Sequence, residues 1–226
     1  VGASEQSFYA RWGKRTFDLA LAIPALVVLS PLLLLCALAV KLDSPGPILY
    51  RQERIGRGKR PFQLLKFRSM VVGAESTGAG VRVEAKDRRV TRAGRVLRRL
   101  SLDELPQLFN VLAGDMSLVG PRPTLRYQVE LYTDRESRRL RVKPGVTGWA
   151  QVHGRNSIDW AERIRYDLQY VDGISLRLDL LILFRTLPAV FAGAGMVSQV
   201  DYWKERAASR EVPSAGEGSK PDEGAG

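Results

Sequence analysis

Asp103 and Glu104 stand side by side in Ser101-Leu102-Asp103-Glu104, directly after a basic stretch containing Arg95, Arg98 and Arg99. One chemistry for this arrangement is phosphoryl transfer. The arginines would hold an anionic substrate, one carboxylate would attack as a nucleophile, and its neighbour would hold a divalent cation. A carboxylate approaching a phosphate needs such positive compensation, because like charges repel. The same four residues also read as a capping box, Ser-x-x-Glu, with Pro106 suited to a helix start. Three other places could contact phosphate. Lys66-Phe67-Arg68 follows a hairpin pattern and is otherwise a solvated strand edge. Arg122 is pinned between Pro121 and Pro123, which leaves little backbone entropy to lose on binding, although a plain turn would look the same. Gly145, Gly148 and Gly154, with Arg155, could present backbone N–H groups. Neither a P-loop nor a dinucleotide-binding fingerprint is present. His153 is the only histidine and Cys36 the only cysteine. That excludes a histidine dyad, a His-rich metal site, a disulfide framework and a cysteine metal site. Any acid, base or nucleophile must come mainly from carboxylates, and His153 reads as a hydrogen-bonding loop residue.

The elements that must position these residues follow from the pattern. ILYRQER and PFQLLKFRSM flank the turn-like IGRGKR and predict a β-hairpin. AGRVLRRL predicts a short basic helix, and SLDELPQLFNVLAG a helix stopped by glycine. GDMSLVGPRP predicts a loop with a turn, residues 124–142 carry helical spacing, and KPGVTGWAQVHGRN is too glycine-rich to predict regular structure. SIDWAERIRYDLQYVDG predicts an amphipathic helix with Trp160, Ile164 and Leu168 on one face. Residues 174–195 are apolar but interrupted by Arg177, Asp179, Arg185 and Pro188, which favours an interfacial or core helix over a membrane span. Residues 73–94 predict a mobile loop, and residues 204–226 a disordered tail.

Residues 19–40 contain no charged side chain. As one helix they would be about 33 Å long, enough to cross a hydrocarbon core. An uncleaved signal peptide fits poorly, because the apolar run is too long and no small-x-small site follows. Lys14 and Arg15 precede the run; Lys41, Arg51, Arg54, Arg57, Lys59 and Arg60 follow it. Positive flanks favour the cytoplasm on both sides. A re-entrant helix broken at Ser30-Pro31 satisfies both, since Pro31 removes a backbone N–H and Ser30 can bond a freed carbonyl. A plain span with a tolerated proline is the alternative. Phe8, Tyr9 and Trp12 suit an interfacial anchor.

The chain has 226 residues and a net charge of +11. Such a basic excess predicts an anionic partner: nucleic acid, an acidic membrane surface or phosphorylated small molecules. A membrane-anchored nucleic-acid-binding or anionic-lipid-binding protein is therefore an alternative reading. The basic segments lack the aromatic interleaving of a single-strand platform, and a lipid sensor leaves Asp103-Glu104 unexplained.

Read in order, KRTFDLALA…LSPLLLL, KLDSPGPILYRQERIG, KFRSM, SLDELPQLFNVLAGDMSLVGPRP and KPGVTGWAQVHGRN resemble the bacterial sugar transferase family, the monotopic polyprenyl-phosphate phosphoglycosyl transferases. The resemblance covers about residues 12–195 and is to the small, PglC-like members. It implies an α+β, mainly helical fold in which a re-entrant membrane helix over residues 14–41, a β-hairpin and amphipathic interfacial helices surround one cytoplasmic catalytic domain over residues 1–203. It implies transfer of a sugar-1-phosphate from a UDP-sugar to polyprenyl (undecaprenyl) phosphate at the inner membrane, releasing UMP through a covalent aspartyl intermediate. Carried over, Asp103 is the nucleophile and, with Glu104, holds Mg²⁺. Lys66, Arg98, Arg122 and Arg155 bind phosphate or nucleotide. Asp179 occupies a matching acidic position, and Ser30-Pro31 is the membrane break. The partners implied are the two substrates and anionic inner-leaflet lipid, with no nucleic acid. Residues 148–156 lean toward an N-acetylated amino sugar. Phe109 and His153 depart from the family pattern without touching this chemistry.

Overall fold

Leu49–Ile55 (β1) and Pro61–Phe67 (β2) form the expected antiparallel hairpin in the computed structural model, which describes residues 8–76, 87–154, 158–191 and 206. Tyr50 pairs with Lys66 and Gln52 with Leu64. Outside the pairing, the backbone of β2 is met by a side chain. Buried Asn110 accepts from Leu65 N–H (3.0 Å) and donates to the Gln63 carbonyl (2.7 Å). The amide thereby satisfies two polar groups of the strand and ties it to α3 (Gln107–Ala113), the helix that follows the acidic pair. Gly114, at φ 90°, stops α3 as expected.

The basic helix forms as α2 (Arg92–Arg99), capped by Thr91 accepting from Gly94 N–H. The helical spacing beyond residue 124 does not produce one helix. It divides into α4 (Arg126–Glu130), α5 (Asp134–Ser137) and a 3₁₀ turn at Arg138–Arg141. The division has a local cause, a capping box at Thr133. Its hydroxyl accepts from Glu136 N–H, while Glu136 accepts from Thr133 N–H at 2.8 Å. The expectation that GDMSLVGPRP and KPGVTGWAQVHGRN lack regular elements is corrected. Ser117–Val119 (β3) and Gly145–Thr147 (β4) pair in parallel, and Trp149–Val152 forms a helical turn, α6. Two extended segments 28 residues apart leave no local periodicity to read, so only their pairing makes them strands.

The amphipathic helix forms as α7 (Trp160–Asp172), with Trp160, Ile164 and Leu168 all buried beside Ile55, Tyr132 and Leu140. In α8 (Leu176–Phe191), Ile182 is fully buried while Leu176, Leu180, Phe184 and Leu187 are exposed, the one-sided pattern of an interfacial helix.

The apolar run lies within α1 (Lys14–Asp43), which keeps helical conformation across Pro24 and Pro31. Ser30 Oγ donates to the Val27 carbonyl at 2.7 Å, the acceptor that Pro31 leaves without its i+4 donor. Only 11% of the most apolar window is buried, so this is not the core helix of a soluble protein. Yet α1 touches the rest of the molecule along its length. Ala22 joins the main core with Leu64, Leu108, Met116 and Ile182. Cys36 and Val40 pack with Phe67 and Leu97. At one end Asp18 accepts from Ser117 Oγ and Leu118 N–H; at the other Asp43 accepts from Ala93 N–H. About 37 Å of helix separates these anchors, and both reach the same folded body.

The segment 77–86, the middle of the expected loop, lies outside the described residues. So do Arg155 and nearly all of the tail.

Candidate active site

The acidic pair sits in a single 3₁₀ turn, Leu102–Glu104, between α2 and α3. The capping-box reading of Ser101 and Glu104 is corrected. Ser101 adopts a left-handed conformation (φ 57°) and its side chain makes no capping bond. Glu104 is instead held from two directions. Lys66, on β2, donates to Oε1 at 2.9 Å, and Arg122 donates to the same oxygen at 2.7 Å and to Oε2 at 3.3 Å. Lys66 is thus neither a solvated edge residue nor interchangeable with Arg68. Arg68 is buried and spends its guanidinium on the carbonyls of Ser44, Pro45 and Pro47, fixing the turn after α1.

Asp103 differs from its neighbour. It makes no hydrogen bond or ion pair with any described residue, and it lines a cavity of ≈600 Å³. Lys66, Arg98, Arg122 and Arg163 line the same cavity. Burial and the adjacent Glu104 charge push the Asp103 carboxyl above the ordinary aspartate range, and Lys66, Arg98 and Arg122 draw it only part of the way back. Burial acts in the same direction on Glu104, but Arg122 and Lys66 outweigh it and hold that carboxyl well below the usual range. Adjacent carboxyls with opposite shifts are suited to different roles. Glu104 stays ionised and fixed, whereas Asp103 is the more basic and the less engaged.

The glycine-rich segment serves the site indirectly. Gly120 N–H donates to the Thr147 carbonyl and Gly145 N–H to the Pro121 carbonyl, both at 2.9 Å. A Cβ on Gly145 or Gly148 would stand 2.1 Å from Gly120 backbone atoms. These glycines are required for backbone contact beneath Pro121-Arg122-Pro123. From the other side Arg139 donates to the Arg122 carbonyl at 3.0 Å. Arg139 is fully buried, paired with Asp167, and also donates to Tyr132 Oη. Arg122 is therefore clamped between a parallel strand pair and a buried ion pair.

Two basic contributors were not legible in the sequence. Arg163 reaches the cavity from α7, where its helical position reads as a solvated face. Arg54, on β1, donates to the Pro123 carbonyl. Burial and the charge of Arg122 lower both, to about 10. Two arginines whose proton affinity falls beside Arg122, which is itself held charged by Glu104, make a cationic pole suited to an anion. The far wall of the cavity is apolar: Ala25 and Leu29 from α1, Leu183 from α8, with Leu108, Val146 and Val152.

Asp179 is not brought to this cavity. It is fully buried, 2.9 Å from Lys14 Nζ, and accepts from the hydroxyls of Tyr9 and Tyr170. Its contacts fasten α8 to the start of α1. His153 bears out its reading: Nδ1 lies 2.8 Å from the Trp149 carbonyl and its ring stacks on Tyr166.

Comparison with known proteins points the same way. Residues 9–193 match the bacterial sugar transferase family. Over 189 residues the chain is 46% identical to the UDP-N-acetylgalactosamine-undecaprenyl-phosphate N-acetylgalactosaminephosphotransferase of Aeromonas hydrophila, covering 80% of this chain and 44% of that protein. It is 46% identical to the uncharacterized sugar transferase EpsL of Bacillus subtilis, covering 81% and 89%. It is 45% identical to the UDP-glucose:undecaprenyl-phosphate glucose-1-phosphate transferase of Escherichia coli, covering 77% and 39%. The chain thus spans less than half the length of two of these relatives and most of the third.

Proposed function

The chain belongs to the bacterial sugar transferase family, and from that membership we propose that it transfers a sugar-1-phosphate from a UDP-sugar to undecaprenyl phosphate in exopolysaccharide or related glycan assembly. The observation that carries this reading is the unpaired Asp103 carboxylate in a cavity with one cationic and one apolar wall.

In the first step an Asp103 oxygen attacks the sugar-bearing phosphorus. The bond from that phosphorus to the bridging oxygen breaks, and its electron pair leaves with UMP. In the second step an oxygen of the polyprenyl phosphate attacks the same phosphorus. The bond to Asp103 breaks, the carboxylate returns, and polyprenyl-diphosphate-sugar departs. The raised proton affinity of Asp103 makes its ionised form a stronger nucleophile. Arg122, Arg98, Lys66 and Arg163 bind the phosphates, and the hydrocarbon wall beside them accommodates the first units of a lipid chain. The covalent intermediate lets the soluble donor leave before the lipid acceptor reacts.

Mg²⁺ is the cofactor in this proposal. Asp103 and Glu104 would hold it through carboxylate oxygens, and no cluster of three or more metal-binding side chains occurs among the described residues. That donor set fits a cation that takes its other ligands from water and substrate phosphate. When bound, it supplies charge neutralisation of the diphosphate and of the leaving UMP.

The proposed location is the cytoplasmic face of the bacterial inner membrane, with α1 entering the bilayer and returning at Ser30-Pro31. The two anchored ends support this, since a straight span would carry one end away from the body that Asp18 and Asp43 both contact. Relatives named for N-acetylgalactosamine and for glucose are 46% and 45% identical to the chain, so similarity does not select the sugar. The leaning toward an N-acetylated amino sugar rests on residues 148–156 alone.

The test is UMP release from a panel of UDP-sugars with undecaprenyl phosphate, together with mass spectrometry of protein exposed to UDP-sugar without acceptor. A phosphosugar adduct on wild-type protein that is absent from Asp103→Asn is expected. UMP release by Asp103→Asn at near-native rates would overturn the covalent route.

A further inference from the structure

A second cavity, of ≈350 Å³, opens at the start of α1 and shares no lining residue with the first. Three separate parts of the chain bring cations to it. Arg11, Lys14 and Arg15 come from the first helical turns and Arg57 from the hairpin turn. Arg141 comes from the 3₁₀ turn after α5, and Lys143 from the segment leading into β4. Two carboxylates face these six cations, Asp18 and Asp172, and both are already engaged. Asp18 is bonded to Lys14, Ser117 and Leu118, and Asp172 is paired with Arg138. Lys14 is matched by Asp18 and Asp179, and Arg15 donates to the carbonyls that end α3, those of Val111 and Leu112. The side chains of Arg11, Arg57, Arg141 and Lys143 make no ion pair or hydrogen bond with any described residue.

These charges converge. Lys143 Nζ and Arg15 Nη2 each come within 4 Å of where a Cβ on Gly114 would sit. Burial, with Arg15 and Arg57 nearby, lowers the proton affinity of Lys143. Like charges gathered from distant segments repel at a cost unless an anion shares the space. The residues beside the cavity point to the anion. On the same turns of the chain, Phe8 and Trp12 are 80% and 64% exposed, and Leu21 and Ile23 are exposed just beyond. Aromatic residues beside an apolar helix mark the headgroup layer, which, with the membrane placement proposed above, puts the mouth of the cavity at the level of the bilayer phosphates.

We propose that Arg11, Arg57, Arg141 and Lys143 form a second phosphate-binding site, separate from the reaction centre, that takes the phosphate of an anionic phospholipid headgroup or an equivalent free phosphate. Such a site would hold the start of α1, and the β3–β4 frame beneath Arg122, at a fixed depth. The proposal rests on the membrane placement above for its lipid ligand but not on the transfer reaction.

The test compares three full-length proteins: wild type, the triple variant Arg57→Gln/Arg141→Gln/Lys143→Gln, and Arg126→Gln/Arg135→Gln/Arg165→Gln, which removes the same charge elsewhere. Each is partitioned onto vesicles of phosphatidylcholine with and without phosphatidylglycerol. In a second arm each is melted in detergent with inorganic phosphate. The first variant is expected to lose about tenfold or more of the phosphatidylglycerol-dependent binding, and the second less than about threefold. If the lipid dependence is unchanged but phosphate raises the Tm of wild type and not of the first variant, the site stands with a soluble ligand. Equal losses in both triple variants, or no difference from wild type in either arm, would overturn it. Arg57→Gln alone, on an exposed turn, keeps the test open if the triple variant does not fold. UMP release in detergent within about twofold of wild type separates this site from the reaction centre.

Discussion

Asp103 and Glu104 at the cavity, and Asp18 and Asp179 beneath the first helix, are both carboxylate pairs with a lysine beside them. In the second pair Lys14 stands between the two acids, within 3.1 Å of each, and hydroxyls or backbone N–H groups of Tyr9, Tyr170, Ser117 and Leu118 engage both. Both acids are buried. In the first pair Lys66 and Arg122 converge on Glu104 alone, and Asp103 faces open space. Similar side chains therefore make a fastening in one place and a reagent in the other. What separates them is whether one carboxylate is left without a partner where substrate can reach it.

The contrast yields a graded set of outcomes. The largest is expected from Asp103→Asn, which should lower turnover by at least about 10³-fold while leaving the thermal unfolding midpoint within a few degrees, since no native contact is lost. The reverse profile is expected from Asp167→Asn. Removing one member of a buried ion pair should cost about 3–5 kcal/mol of stability in chemical denaturation, and because Arg139 also holds the Arg122 carbonyl, turnover per folded molecule should fall as well, though far less than for Asp103→Asn. Glu104→Gln should reduce turnover by about 10²-fold and flatten the response to added Mg²⁺. It leaves Lys66 and Arg122 without their shared counter-charge, so some loss of stability should accompany it, unlike for Asp103→Asn.

The smallest effect is a displacement in pH. Asp103 must be ionised to attack, and its carboxyl is raised while that of Glu104 is lowered. The acid limb of kcat/KM should therefore fall above the ordinary aspartate range. Lys66 lowers the Asp103 carboxyl, so Lys66→Met should move that limb to still higher pH. A limb that stays in place, or moves down, would show that the titration of Asp103 does not govern the rate.

Much of this organisation could be read along the chain. The hairpin, α2, the glycine stop of α3, the buried face of α7 and the one-sided α8 all follow from periods of two or 3.6 and from end signals, which are local properties. Asp103, Glu104, Lys66, Arg98 and Arg122 were legible as a set because their types and order are distinctive. Other parts were not legible, each for a different reason. The β3–β4 pair joins two stretches without periodicity. The division of α4 from α5 depends on a capping box that also lies within a helical pattern. The Ser101 capping pattern was overridden when Lys66 and Arg122 claimed Glu104. Asp179 carries a charge in an apolar run, and sequence cannot distinguish a buried fastening from a substrate contact.

By itself the sequence determined the acidic pair in its basic surroundings, the apolar helix with cations on both flanks, and the family to which these belong. Only the tertiary structure decided which acid is spent and which is free. That depends on Lys66 and Arg122, 38 residues before and 18 after Glu104, and their reach is set by Asn110 on one side and by the Gly120–Gly145 contact on the other. Charge type is a property of a residue. Whether the charge is neutralised depends on distances of about 3 Å between residues far apart in the chain, and folding alone fixes those.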